Sequence, residues 1–201
     1  MRAALLAFVF LMLTAPAHGQ LWPFASVDRI NQKLCGQVID YTANHGQDHR
    51  IFSRVLNQPR DMYVYLPPGY DSKKIYPVLY YFHFSRVDER QFIGSGAIQE
   101  LDRMIVAGVF PPTVVVCPDG TISGRNRLFE EHSFYINSNS GRFEDFLLTE
   151  VIPFINGRYS IRPERQAHGI IGLSSGGFGA MSIAIRHREY FGVVATLAAS
   201  P

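Results

Sequence analysis

Hydrophobic and polar positions follow two different rhythms along the chain. Up to about residue 66 the apolar positions come in short bursts, Val38-Ile39-Asp40-Tyr41, Ile51-Phe52-Ser53 and Met62-Tyr63-Val64-Tyr65-Leu66, separated by polar stretches that carry Gly and Asn. Runs of that length, rich in β-branched and aromatic residues, predict a strand meander. Pro67-Pro68-Gly69-Tyr70 closes it with a turn. Beyond this point the apolar runs become continuous: Tyr76 to Phe82 (YPVLYYF), Thr113 to Cys117 (TVVVC) and Ile170-Ile171-Gly172-Leu173. Segments apolar on both faces are what buried parallel strands look like. Helical spacing fills the intervals. Ile98, Leu101 and Ile105 share one face of Ala97 to Ala107, which Gly108 ends, and Phe143, Phe146, Leu147, Glu150 and Val151 recur over Phe143 to Ile155. Pro153 is expected to kink that second helix near its end. Phe191 to Ser200 (FGVVATLAAS) reads as one further strand. Strands alternating with helices predict an α/β fold, a mostly parallel sheet with flanking helices joined by right-handed crossovers. With no internal repeat or Pro/Gly-rich linker, the chain is one domain or part of one.

The first residues stand apart from this pattern. Arg2 precedes an unbroken apolar run, Ala3 to Leu13, and Ala17-His18-Gly19 places small residues where a signal peptidase reads them. Residues 1–19 are therefore expected to be a signal peptide, and residues 20–201 the mature domain, periplasmic or extracellular. The apolar run is well short of the ~20 residues that span a bilayer. Composition adds little beyond exclusion. Of 201 residues 47% are hydrophobic and 18% charged, a globular profile. With 19 Lys+Arg against 17 Asp+Glu and no run of like charge, neither nucleic acid nor an anionic membrane is implied as a partner. Two cysteines, Cys35 and Cys117, permit a disulfide in an exported protein, although Cys117 sits in an apolar run where a buried thiol fits equally well. No Cys/His spacing resembles a zinc site.

Gly172-Leu173-Ser174-Ser175-Gly176 fits G-x-S-x-G. The pattern is short and decides nothing alone; its setting does more. An apolar strand precedes it and Met181 to Arg186 continues it as a helix, the strand-turn-helix context of a nucleophile elbow. Such a turn projects the serine hydroxyl above the sheet, and small neighbours let strand and helix close around it. The helix then directs its positive end and the Ser175 N–H at developing negative charge. A second backbone donor is sought where Phe82-His83-Phe84-Ser85 leaves a buried strand, near Phe84. His83 itself reads as a packed loop residue rather than a base.

Four stretches in order carry a resemblance: RDMYVYLPPGYDSKKIYPVLYYFH, PPTVVVCPDG, FEDFLLTEVIPFINGRYSI and GIIGLSSGGFGAMSIAIRHREYFGVVATLAAS. From about Arg60 onward the chain resembles the esterase family of α/β-hydrolases that takes in feruloyl and acetyl-xylan esterases, S-formylglutathione hydrolase and the secreted mycolyltransferase antigens. The resemblance implies an α/β-hydrolase fold, Ser174 as nucleophile, and Ser175 and the region of Phe84 as oxyanion donors. It also implies a carboxylic ester hydrolase that needs no cofactor or metal; with the expected signal peptide, the expectation is a secreted enzyme acting on a small-molecule or polysaccharide ester. One departure stands out: the family has glycine directly after the oxyanion-loop histidine, and here the residue is Phe84.

In this fold the acid and then the histidine follow the serine along the chain. After Ser174 come only His187 and Glu189, in the reverse order, and thirteen helical residues put His187 roughly 20 Å from the serine. His168 is expected at the far edge of the sheet, also about 20 Å away. His132 lies in the long stretch Thr121 to Gly141, which could fold over the site; His45 and His49 read as solvent-exposed and Asp119 as a turn residue. By comparison with the family the acid and histidine are expected beyond Pro201, which makes the fold C-terminally incomplete. The chain is then either a truncated esterase product or a non-catalytic hydrolase-like remnant, in the second case a carbohydrate-binding or inert domain.

Overall fold

The structure, a computed structural model, describes residues 26–124 and 132–199. The expected signal peptide, residues 1–19, lies outside the described residues. The central sheet has six strands in the order β1-β4-β6-β5-β9-β10. They are β1 (Gln37–Tyr41), β4 (Met62–Leu66), β5 (Val78–Phe82), β6 (Val114–Pro118), β9 (His168–Leu173) and β10 (Val193–Leu197). β6, β5, β9 and β10 run parallel to one another, and β4 pairs antiparallel with both β6 and β1. Short hairpins β2 (Ile51–Ser53) with β3 (Gln58–Arg60), and β7 (Asn137–Ser138) with β8 (Gly141–Arg142), lie outside the sheet.

The continuous apolar runs become strands because both faces of the sheet are covered. Every residue of β4, β5 and β6 is buried. Tyr63, Tyr65, Leu79, Tyr81 and Val115 point to one face, into a core shared with α1 (Val27–Asn31), α2 (Arg90–Gly94) and α3 (Ala97–Val106). Met62, Val64, Val78, Tyr80 and Val116 point to the other, into a core shared with α4 (Phe143–Phe146), α5 (Ile152–Arg158) and α6 (Ser175–Arg186). The expected stop at Gly108 is present, with φ 71° just after α3. The expected turn at Pro67 is present too: the Tyr70 N–H donates to the Pro67 carbonyl at 3.0 Å, and Gly69 takes φ 65°.

Two expectations about elements need correction. Pro153 lies not near the end of a single helix but in the first turn of α5, which α4 reaches through a π-helical turn, Leu147–Val151. A proline has no N–H to give to the carbonyl four residues back, and a widened turn is a common way to accommodate that loss. The helix after the serine begins at Ser175 rather than Met181, through a Gly-rich segment of low intrinsic helix propensity. Of the two alternatives for the cysteines, the structure has free thiols, Cys35 exposed and Cys117 buried. No helix among the described residues is long and apolar enough to cross a membrane.

Candidate active site

Ser174 stands between the end of β9 and the start of α6 with φ 47° and ψ −119°. A side-chain-bearing residue in that region costs of order 1–3 kcal/mol, so the surrounding structure must impose it. Two backbone bonds do so. The Ser174 N–H donates to the Leu197 carbonyl of β10 at 2.8 Å, and its own carbonyl accepts the Phe178 N–H at 2.9 Å. The flanking glycines are set by close approach. A Cβ on Gly172 would strike the Gly176 carbonyl oxygen, and one on Gly176 would strike the carbonyl oxygens of His83 and Phe82, the latter at 2.5 Å. The elbow therefore presses directly on the end of β5, which is paired with β9 through Phe82 and Gly172.

The loop leaving β5 is held by its first residue. His83 is fully buried, and the Gly120 N–H donates to its Nε2 at 2.9 Å. That bond puts the ring proton on Nδ1, which donates to the Phe84 carbonyl at 3.0 Å. Ser85 donates its N–H to the Ser175 Oγ at 2.7 Å. Ser175, the first residue of α6, is thus tied through its side chain to the loop that carries Phe84.

Behind this loop lies a buried polar cluster that sequence reasoning missed. Asp119, expected as a turn residue, does accept the Thr121 N–H at 2.8 Å, but it is also fully buried and paired with Arg60. Arg60 Nη2 donates to the Asp119 carboxylate at 2.7 Å and to the carbonyls of Asp119 and Thr121 at 2.9 and 2.6 Å. Its guanidinium lies 5.2 Å from the Phe143 ring centroid and 5.9 Å from that of Phe146. Burial would raise the Asp119 pKa; the Arg60 charge and the Thr121 N–H outweigh it and hold the carboxyl at about 2. Glu89 and Asp61, close by, go the other way. Burial and the neighbouring acids push Glu89 well above the carboxylate range, with Asn44 Nδ2 donating to it at 2.6 Å, and burial raises Asp61 to about 6. The signal available in the sequence was charge beside buried strand ends: Arg60-Asp61 immediately before β4 and Asp119 immediately after β6.

Each described histidine has a ring nitrogen on another group, although His132 Nε2 is buried without a hydrogen-bond partner. His132 Nδ1 accepts the Phe134 N–H at 3.0 Å, and burial, with His83 beside it, lowers its pKa to about 3. Its segment does pack against the elbow helix, since the Phe134 carbonyl occupies the space that a Cβ on Gly179 would need. His187, at the far end of α6, meets Glu144 Oε1 at 2.7 Å, and Arg186 clasps the same carboxylate. His168 is the first residue of β9, buried at the opposite end from Ser174, with Nε2 donating to the Arg162 carbonyl at 2.6 Å. His49 is exposed as expected. His45 is not: it is half-buried, its Nε2 2.8 Å from the Tyr63 hydroxyl, because the loop after β1 folds back over that strand-end tyrosine.

A mostly parallel sheet flanked by helices, with a serine held at positive φ between a central strand and the following helix, defines an α/β-hydrolase. The family model described as "Putative esterase" matches residues 53–201, and the chain belongs to that family. An esterase of Mycobacterium tuberculosis is 30% identical over 162 residues, which are 71% of this chain and 33% of that protein. An endo-1,4-beta-xylanase/feruloyl esterase of Xylanibacter ruminicola is 28% identical over 161 residues, 74% of this chain and 21% of that one. Among solved structures, a ferulic acid esterase superimposes with TM-score 0.68 at 30% identity, covering 79% of this chain and 58% of that chain. A ferulic acid esterase from the anaerobic fungus Anaeromyces mucronatus shares the fold, with TM-score 0.65 at 23% identity, covering 83% of this chain and 59% of that chain. The chain thus spans about a third of the mycobacterial relative and under two thirds of the solved ferulic acid esterases.

Proposed function

We propose that the chain supplies the nucleophile and oxyanion hole of a secreted carboxylic ester hydrolase that works through an acyl-enzyme on Ser174. The observation that carries the reading is the Ser174 backbone, φ 47° and ψ −119° at a strand-to-helix turn, in a chain of the esterase family. A serine is held in so unfavourable a conformation where its hydroxyl has to stand clear of the sheet. In the reaction Ser174 Oγ attacks the ester carbonyl and gives its proton to a histidine base. The tetrahedral oxyanion is stabilised by the N–H groups of Ser175 and Phe84. The alcohol leaves with the proton, and water releases the acid from the acyl-serine. Relatives described as a ferulic acid esterase and a xylanase/feruloyl esterase, together with the apolar leader Ala3 to Leu13, favour esterified polysaccharide as substrate.

The competing reading, a hydrolase-like domain without turnover, draws on the histidines. His83 and His132 use ring nitrogens on backbone groups, and His168 and His187 lie at the opposite ends of their elements from Ser174. In the family order the acid and histidine follow the strand after α6; with the described histidines placed as above, residues 1–201 alone are expected to hydrolyse a chromogenic acetyl ester very poorly. A gene product that includes that acid and histidine is expected to be active and to lose activity on Ser174→Ala. Robust turnover by the short form sinks the account of the base; turnover that survives Ser174→Ala sinks the nucleophile.

A further inference from the structure

We propose that the Ser175 side chain is a positioning residue for the oxyanion hole: with the His83 ring it grips both polar ends of the Phe84–Ser85 peptide and so aims the Phe84 N–H. The inference rests on the reading of Ser174 as the nucleophile. A peptide unit offers one acceptor and one donor, and here both are taken by buried side chains. The Phe84 carbonyl accepts from His83 Nδ1 at 3.0 Å, and the Ser85 N–H donates to Ser175 Oγ at 2.7 Å. The tautomer that makes His83 Nδ1 a donor is imposed from its other side by the Gly120 N–H. His83 is fully buried and Ser175 exposes only 3% of its surface, while Phe84 and Ser85 are half-buried, so both side chains reach the loop from the protein interior.

That anchor holds the C-terminal side of Phe84. The Phe84 N–H belongs to the preceding peptide, whose His83 carbonyl lies against Gly176 of α6, so the two adjoining planes together limit how the donor can turn. Such a device answers the departure at this position. Glycine there would be free to take any backbone conformation the hole requires; Phe84 carries a Cβ and stays out of the positive-φ region, so its neighbours have to set the donor's direction. Ser175 is suited to that task by its place. Its own N–H, at the start of α6, is the other oxyanion donor, so one residue donates with its backbone and holds the second donor's loop with its side chain. The spacing of the two donors is then set within a single residue.

The test uses the gene product that turns the ester over, with Ser174→Ala measured alongside. Ser175→Ala, and the near-isosteric Ser175→Cys with its poor sulfur acceptor, are expected to lower kcat about 10- to 100-fold with KM changed less than about threefold, as for loss of a contact made in the transition state. Binding of a trifluoromethyl ketone, whose adduct places an oxyanion in the hole, should weaken by a similar factor. Ser175→Thr keeps the hydroxyl and should retain kcat within about threefold of wild type. Thermal melts confirm that each variant is folded, and if Ser175→Ala is not, the Cys and Thr pair decides. Ser175→Cys with wild-type kcat, or Ser175→Thr as impaired as Ser175→Cys, overturns the proposal while leaving the nucleophile in place. Full turnover in Ser174→Ala overturns both.

Discussion

Gly176→Ala tests whether the elbow and the end of β5 are pressed together as tightly as the backbone geometry implies. The added methyl would lie 2.5 Å from the Phe82 carbonyl oxygen and 2.8 Å from its carbon, with the His83 carbonyl oxygen also in the way. Ordinary contact begins at 3.4 Å, so strand and elbow must separate by about 1 Å, the His83 carbonyl oxygen being the nearest obstacle. All the obstructing atoms are backbone, which leaves no side chain to swing aside. Overpacking of this kind costs about 1–3 kcal/mol. For a domain of this size that is a fall of roughly 2–12 °C in Tm, at about 2–4 °C per kcal/mol. The same displacement moves the Phe84 loop relative to Ser174 by most of an ångström, and misplacement on that scale can lower turnover about 100-fold. The assay is a thermal melt alongside kcat/KM on a chromogenic acetyl ester, in the gene product that turns the ester over. Gly157→Ala is the control: it lies in α5 with nothing within 4 Å of the added methyl, and should stabilise by about 0.4–1 kcal/mol. A Gly176→Ala variant that melts and turns over like wild type would refute the close approach.

The other expectations concern the buried charges and the thiols. Arg60→Met leaves the Asp119 carboxylate buried without its cation and should destabilise by about 3–5 kcal/mol in a urea melt at pH 7, with the double variant Arg60→Met/Asp119→Asn recovering part of the loss. Asp119 is held at about 2, so its contribution to stability is complete above its unfolded pKa near 4 and is lost as pH falls toward 2; Arg60→Met should flatten that acid limb. Asp61 behaves in the opposite sense. Its pKa is raised to about 6, so stability falls as pH rises from about 4 through 6, and Asp61→Asn, which can still accept the Ala43 N–H, should be more stable than wild type at pH 7 and no different at pH 4. A thiol reagent should titrate one group in the native protein, Cys35, and two in denaturant, whereas a disulfide would give none in either.

The sheet was legible because its strands are buried on both faces and therefore uninterrupted by polar residues: YPVLYYF and TVVVC lie within a residue or two of β5 and β6. Less legible were the elements whose shape is set by their neighbours. The first six residues of α6 include three glycines, which on propensity alone read as loop. They are helical because the helix has to close on β9 and β5 at distances only glycine permits, so the residues that obscured the element are the ones the elbow requires. The same inversion explains Arg60, Asp61, His83 and Asp119. Each is a polar residue at the end of an apolar run, where a turn or a solvent-facing side chain is the ordinary reading. Their burial follows from the order of the sheet, which sets β4, β6 and β5 side by side and gathers these residues behind the loop that carries Phe84. No periodicity along the chain encodes that adjacency. The motif at Ser174 identifies where a nucleophile would stand, but the apparatus that aims a second donor at it is assembled from His83, Ser175 and Gly120, three residues brought together only by the pairing of β5 with β6 and β9.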